Sequence, residues 1–227
     1  GNPPVQAVPE GADWDMWLGP APEVPFRGVM HWNWRWIMDY SGGQLTDWAG
    51  HHIDIAHWGL GLDGTGPETI EGTGRPNNDG IYNVPAVYDF TCKYANGPEM
   101  RVANQSQTEH GMGTLWKGTD GWIHVHRWGG IKASDDAILQ EKIGRDEVKL
   151  YKSTNHQRNF ADCVKSREKT ITPVETGHSS IAVGLLGEIA IITGQKLHWN
   201  PETEKFTDNN PFATSLLKRP YRQPWSL

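Results

Sequence analysis

Cysteine is nearly missing from this chain: Cys92 and Cys163 are the only two in 227 residues. Two thiols cannot build a disulfide framework, and they leave the compartment open, because large exported proteins also do without disulfides. Basic residues are in deficit, 21 Lys and Arg against 27 Asp and Glu for a formal net charge of −6, and they form no run. Neutralising a phosphate backbone needs the opposite balance, so no nucleic-acid partner is expected. Long hydrophobic stretches are lacking too. The longest, residues 181–192, is interrupted by Glu188 and is too short to span a bilayer, so no membrane partner is expected. The opening GNPPVQAVPEG has neither a charged n-region nor an apolar h-region, so it does not read as an export signal. Periplasm and cytoplasm both stay open as locations.

What the chain has in excess is tryptophan, with twelve residues. Indole faces stack on the C–H surfaces of sugars, which points to carbohydrate. Indoles also fill cores and oligomer interfaces, and composition does not choose between the two. Residues 1–27, rich in Pro and Gly around DWDMWLGPAP, read as an extended arm over one folded domain, residues 28–227. HWNWRW at 31–36 alternates with period two. As a strand it would place Trp32, Trp34 and Trp36 on one face and His31, Asn33 and Arg35 on the other.

Gly42 and Gly43 then break the chain, and Thr46 suits the cap of a helix over residues 47–58. From 68 to 128 the texture is strand-like. Hairpins are expected around Ala95-Asn96-Gly97-Pro98 and around Asp120-Gly121, with a further strand near 147–151. Asn155 can cap a helix HQRNFADCVKSR, in which Phe160, Cys163 and Val164 share a face. A second helix over 177–193, apolar almost all round and ended by Gly194, should be well buried. The Pro-rich tail, 199–227, is expected to be irregular. A helix, many antiparallel strands and two closing helices make an α+β pattern, not the βαβ alternation of a nucleotide-binding sheet.

Gly59-Leu60-Gly61-Leu62-Asp63-Gly64 matches GxGxxG letter for letter. A dinucleotide loop must follow a strand and open a helix. Here a helix precedes and Thr65-Gly66-Pro67 follows, so the glycines read as a helix C-cap and turn. The helix before them carries more. At about 100° per residue, Asp47, His51, Asp54 and Trp58 share one face. An Asp one turn before a His can accept its ring N–H and raise its basicity, the orienter and base of proton-transfer catalysis. The plainer reading is an Asp favoured by the helix dipole beside a satisfied core His. His124 and His126 form an HxH pair that could chelate, with no third ligand in view; a half-exposed strand face explains them as well.

The stretch GGQLTDWAGHHIDIAHW resembles the GG-x(3)-D-x(3)-H-x(2)-D signature of the C-terminal domain of the Gfo/Idh/MocA oxidoreductases, relatives of glucose–fructose oxidoreductase and inositol dehydrogenase. DWDMWLGPAP, NWRWIMDYSGG, GTDGW, HQRNFADCVKSR, TPVETGHSS and RPYRQPWSL extend the resemblance over nearly the whole chain, toward the bacterial subgroup. It implies an open-faced, mostly antiparallel sheet with helices on one side, and homo-oligomers built on the outer sheet face. It also implies an N-terminal Rossmann domain that binds NAD or NADP. By resemblance, His51 is the acid/base for a sugar or polyol hydroxyl, and Asp47 orients it. Arg35 and Trp36, with Trp34 beside them, line the sugar site. Asp54 matches the last acid of the signature and is grouped with the substrate residues, though a structural role suits it better.

The sequence departs from the family in holding no Rossmann unit and no Glu-Lys-Pro, where the family keeps its catalytic lysine. Lys142, Lys169 and Lys205 each follow a Glu, and none precedes Pro. The chain is therefore expected to bind no cofactor and no metal alone, and to be silent without its cofactor domain. Three rival readings stand beside this one. One is a relative that cleaves glycosides through transient NAD-dependent oxidation. Another is a stand-alone carbohydrate-binding or scaffolding module. The third is a metal-dependent hydrolase using His51, His52, His124 or His126.

Overall fold

Strand β2 (Pro85–Lys93) shows how the fold is decided: Tyr88, Phe90 and Cys92 are buried while Ala86 and Lys93 are exposed. Period-two alternation of this kind buries one face of a sheet and leaves the other in water. The computed structural model describes residues 1–77, 80–95 and 97–226. In it β2 pairs antiparallel with β1 (Thr69–Pro76) and β3 (Glu99–Ala103). β7 (Leu197–Asn200) joins the other edge of β1, and β8 (Lys205–Phe206) joins β7, for a strand order β3-β2-β1-β7-β8.

α5 (Val174–Thr193) covers the buried face, and α2 (Trp48–Leu60) packs against α5. Leu45, Ile53, Ile70, Phe90, Val183 and Leu197 meet there as the centre of the core. α5 is long and apolar enough to cross a membrane on those two measures alone, and here more than half of it is buried in the fold. Its close approach to the sheet depends on missing side chains. A Cβ on Gly187 would press into the Phe90 ring, and one on Gly184 would strike the Leu45 carbonyl. Gly187→Ala is expected to lower stability by about 1–3 kcal/mol through overpacking. Urea unfolding checks this, and an unchanged midpoint would contradict it.

The opposite face is polar. Cross-strand pairs join Arg101 to Asp89 (2.6 Å), Lys93 to Glu99 (3.1 Å) and Lys196 to Glu71 (3.1 Å). A second sheet, β4 (Thr114–Lys117), β5 (Trp122–Val125) and β6 (Ile131–Ala133), lies beside α2. Trp116 packs on α2 at Gly59, where a Cβ would come within 2.6 Å of the indole. Thr114 donates to the His52 carbonyl at 2.7 Å.

The α+β architecture, both hairpins, α4 (His156–Ser166) with its Asn155 cap, and α5 with its Gly194 cap follow the sequence expectations. Asn96, in the first expected hairpin turn, lies outside the described residues. Gly61 ends α2 at φ 65°, so the GxGxxG match is a C-cap.

Other expectations fail. Residues 31–36 are no strand: Asn33–Trp36 forms a 3-10 turn, in which Arg35 lies over the Trp32 and Trp34 rings at 4.4 and 5.0 Å. The alternating indoles serve a cation, not a pleat. Thr46 does not cap α2. Its Oγ1 accepts from Gly42 N at 3.1 Å and closes the preceding turn, while Asp47 takes the N-cap position. Residues 147–151 are irregular, with Val148 84% exposed; their apolar residues have no strand to pair with. The closing strand is instead β6, followed by α3 (Asp136–Gln140). The tail is not irregular throughout, since it holds the end of β7, β8 and α6 (Pro211–Ser215), capped by Asn210. Within residues 1–27, α1 (Trp14–Leu18) stacks Trp14 on Trp17 at 4.7 Å. Arg222 of the tail binds there, donating to the carbonyls of Gly19 (2.9 Å) and Ala21 (3.0 Å) and pairing with Asp15 (2.7 Å).

Candidate functional site

The N-terminal end of α2 is built by a turn that only glycine allows. Gly43 sits at φ 60°, and a Cβ there would come within 2.5 Å of Val84. This turn delivers Asp47 to the N-cap with φ −99° and ψ −93°, so its side chain stands outside the helical wheel. The Asp47 carboxylate faces Arg35 at 3.6 Å, and Arg35 is steadied by donating to the Trp32 carbonyl at 3.2 Å. Trp34 lies under the same guanidinium. Trp36 is half-buried, with its carbonyl held by Asn83 N at 3.0 Å.

His51 follows one turn into α2 and is exposed. Its amide donates to the Asp47 carbonyl at 3.3 Å, and its ring meets Trp48 edge-on at 6.1 Å. Among the described residues no hydrogen bond joins the Asp47 carboxylate to the imidazole. Asp54 turns away to α5, accepting from Ser180 Oγ at 2.7 Å. The structure thus gathers Arg35, Trp34, Asp47 and His51 at one open end of the helix. It ties Asp54 into the packing of two helices.

Sequence reasoning missed the group beside His51. Trp48 stacks on His52 and lies 5.8 Å from Trp128, and the Arg127 guanidinium sits over both indoles. The signal was the Arg127-Trp128-Gly129-Gly130 turn, whose glycines adopt φ 85° and 99° and fold Trp128 back.

The histidines behind this surface do not form a metal centre. His124 lies 6.4 Å from His126 and 5.5 Å from His110, ring to ring. Among the described residues no group of three His, Cys, Asp or Glu could hold a metal ion. Burial, above all other causes, lowers the pKa of His52, His57 and His124. His57 is fully buried, with Nε2 2.7 Å from Tyr94 Oη. These rings are neutral when folded and take up protons when unfolded below about pH 6.5. Their contribution to stability is therefore present above about pH 6.5 and lost as pH falls below it. Glu188, raised by burial, works in the opposite sense as pH rises. In a Glu188→Gln background the urea midpoint is expected to fall between about pH 7.5 and pH 5.5, and a flat profile would contradict this.

A cavity of about 400 Å³ opens at the other end of α2, lined by Gly64, Pro67, His178, Leu186, Trp199 and Glu204. It does not include His51.

A family model described as "Oxidoreductase family, C-terminal alpha/beta domain" matches residues 2–227. Among solved structures, an NAD-binding protein from Listeria innocua superposes with a TM-score of 0.50 at 16% identity, over 73% of this chain and 54% of that one. An aldose–aldose oxidoreductase from Caulobacter crescentus, complexed with glycerol, gives 0.48 at 16% identity over 73% and 50%. An oxidoreductase from Thermotoga maritima gives 0.45 at 17% identity over 79% and 51%. The chain spans about half the length of these structures. No curated protein matches it. At these identities the likeness is one of fold.

Proposed function

The chain belongs to the C-terminal α/β domain group of the Gfo/Idh/MocA oxidoreductase family, and on that premise we propose that it is the substrate-binding half of an NAD(P)-dependent sugar or polyol oxidoreductase. The observation that carries the reading is His51, exposed on the open end of α2 one turn from the Arg35–Asp47 pair. An acid/base must be reachable by the substrate hydroxyl, and an orienting charge must stand close by.

The glycine-rich match at residues 59–64 ends a helix instead of opening one, so it offers no dinucleotide loop. NAD(P) is assigned to a separate domain, and this chain supplies substrate binding and proton handling. His51 exchanges the proton of the reacting hydroxyl. Asp47, held by Arg35 at 3.6 Å, stands one turn away as the orienting charge. Trp34 and Trp36 offer apolar walls, and Arg35 the donors, for a polyhydroxy substrate. In this reading residues 1–27 form an arm over the 28–227 domain, and copies associate through the charged outer face of the larger sheet. The isolated chain is silent.

The test is a panel of aldoses and polyols given to the chain joined to its NAD(P)-binding domain, with reduced nucleotide as readout. Turnover with members of the panel is expected. Saturable sugar binding with no redox change under either nucleotide would return the chain to a carbohydrate-binding module.

A further inference from the structure

Among the described residues the Arg127 guanidinium has no carboxylate in ion-pair contact. Among the described residues its contacts are the faces of two indoles, 4.9 Å to the Trp128 ring and 5.3 Å to the Trp48 ring. Arg35, which also lies over two indoles, is turned to Asp47, and several arginines make no ion pair among the described residues, but of those only Arg127 is held over aromatic rings. In a chain of net charge −6, an arginine held over aromatic faces with no ion pair among the described residues keeps its fork of N–H donors for something else. An arginine needed only for solubility would not require the turn that holds it. Gly129 N donates to the His126 carbonyl at 3.0 Å, Trp128 N donates to His126 Nδ1 at 3.3 Å, and two positive-φ glycines close the loop.

The position of this clamp is as telling as its chemistry. Trp48 is the first residue of α2, and His51 stands one turn further on with its ring against the same indole. Trp128 is 66% exposed, which is a large apolar area to leave in water unless something covers it. An exposed indole face suits the C–H face of a pyranose, and a planar guanidinium suits a carboxylate, which it can bind through two parallel hydrogen bonds. Arg35, already turned to Asp47, cannot serve in the same way.

We propose that Trp48, Arg127 and Trp128 form a subsite beside His51 for the carboxylate-bearing ring of an acidic sugar, so that the substrate class of this site is a uronate or a saccharide that ends in one. The proposal rests on the substrate-domain reading and names its substrate.

The experiment is calorimetric titration of this chain with methyl β-D-glucuronide and, separately, with methyl β-D-glucoside. The glucuronide is expected to bind at least tenfold more tightly, with a preference that shrinks as salt is added. Arg127→Gln should remove the preference and leave glucoside affinity in place. Trp128→Ala should weaken both sugars. Both side chains are exposed, and an unchanged melting temperature confirms that each variant is folded. Equal affinity for the two sugars, or a preference that survives Arg127→Gln, overturns the acidic-sugar subsite and leaves the sugar-oxidoreductase reading standing. Sulfate competing as well as the glucuronide overturns it too, by showing an anion contact without sugar recognition. Binding of neither sugar overturns the acidic-sugar subsite, and the panel of aldoses and polyols decides the substrate-domain reading separately.

Discussion

Replacing His51 with Ala is expected to lower turnover of the intact, cofactor-bearing enzyme by roughly 10²–10⁴-fold, the range that a positioned general acid/base contributes. The loss should fall on kcat, because the imidazole acts on a proton that moves in the transition state, while KM follows Trp34, Arg35 and Trp36. The fold should be untouched: His51 is exposed, and among the described residues its side chain makes no hydrogen bond. His52→Ala is the control. That ring is half-buried and stacks on Trp48, so its loss should lower stability more than chemistry. Steady-state kinetics with melting curves for both variants separates the two effects. Wild-type turnover in His51→Ala would remove the acid/base assignment.

Phe90→Ala is expected to cost about 3–5 kcal/mol, near the top of the range for buried aromatics. The ring is 1% exposed at the centre of the core. Its neighbours explain the size of the effect. Gly72 of β1 pairs with Phe90 across the sheet, and Gly187 of α5 lies so close to the ring that a Cβ would collide with it. Two glycines have no side chains with which to fill the space, so the cavity stays open, and residual cavity volume is what raises the loss. For a domain of this size such a loss takes away a large part of the total stability. Urea unfolding measures it directly, and a loss under about 1 kcal/mol would mean that the core collapses onto the site.

Much of this fold was legible because its signals are local. α4 and α5 announce themselves through Asn155 and Gly194, and the Asp120–Gly121 hairpin through its turn, closed by Gly118 N on the Gly121 carbonyl at 2.8 Å. The misread segments are those in which a distant partner decides. HWNWRW has a strand's period, but Arg35 collects two of its indoles and winds it into a 3-10 turn. In the tail, Trp199 becomes a strand residue because Phe206 pairs with it and Glu68, far away in sequence, accepts from its amide at 2.8 Å.

The same division holds at the site. Asp47 and His51 were readable on one helix, yet the wheel carried Asp47 too far. As the N-cap it leaves helical geometry, and its carboxylate meets Arg35. Trp128 and Arg127 belong to a loop of the smaller sheet, and nothing in the sequence ties that loop to Trp48.

The central claim is a division of labour, with substrate chemistry here and the nucleotide elsewhere. Titrating this 227-residue chain with NADH and with NADPH, by calorimetry and nucleotide fluorescence, tests it most directly. The account predicts no saturable binding up to roughly millimolar nucleotide. Saturable binding near micromolar concentration would contradict it, because a nucleotide site would then exist within these residues.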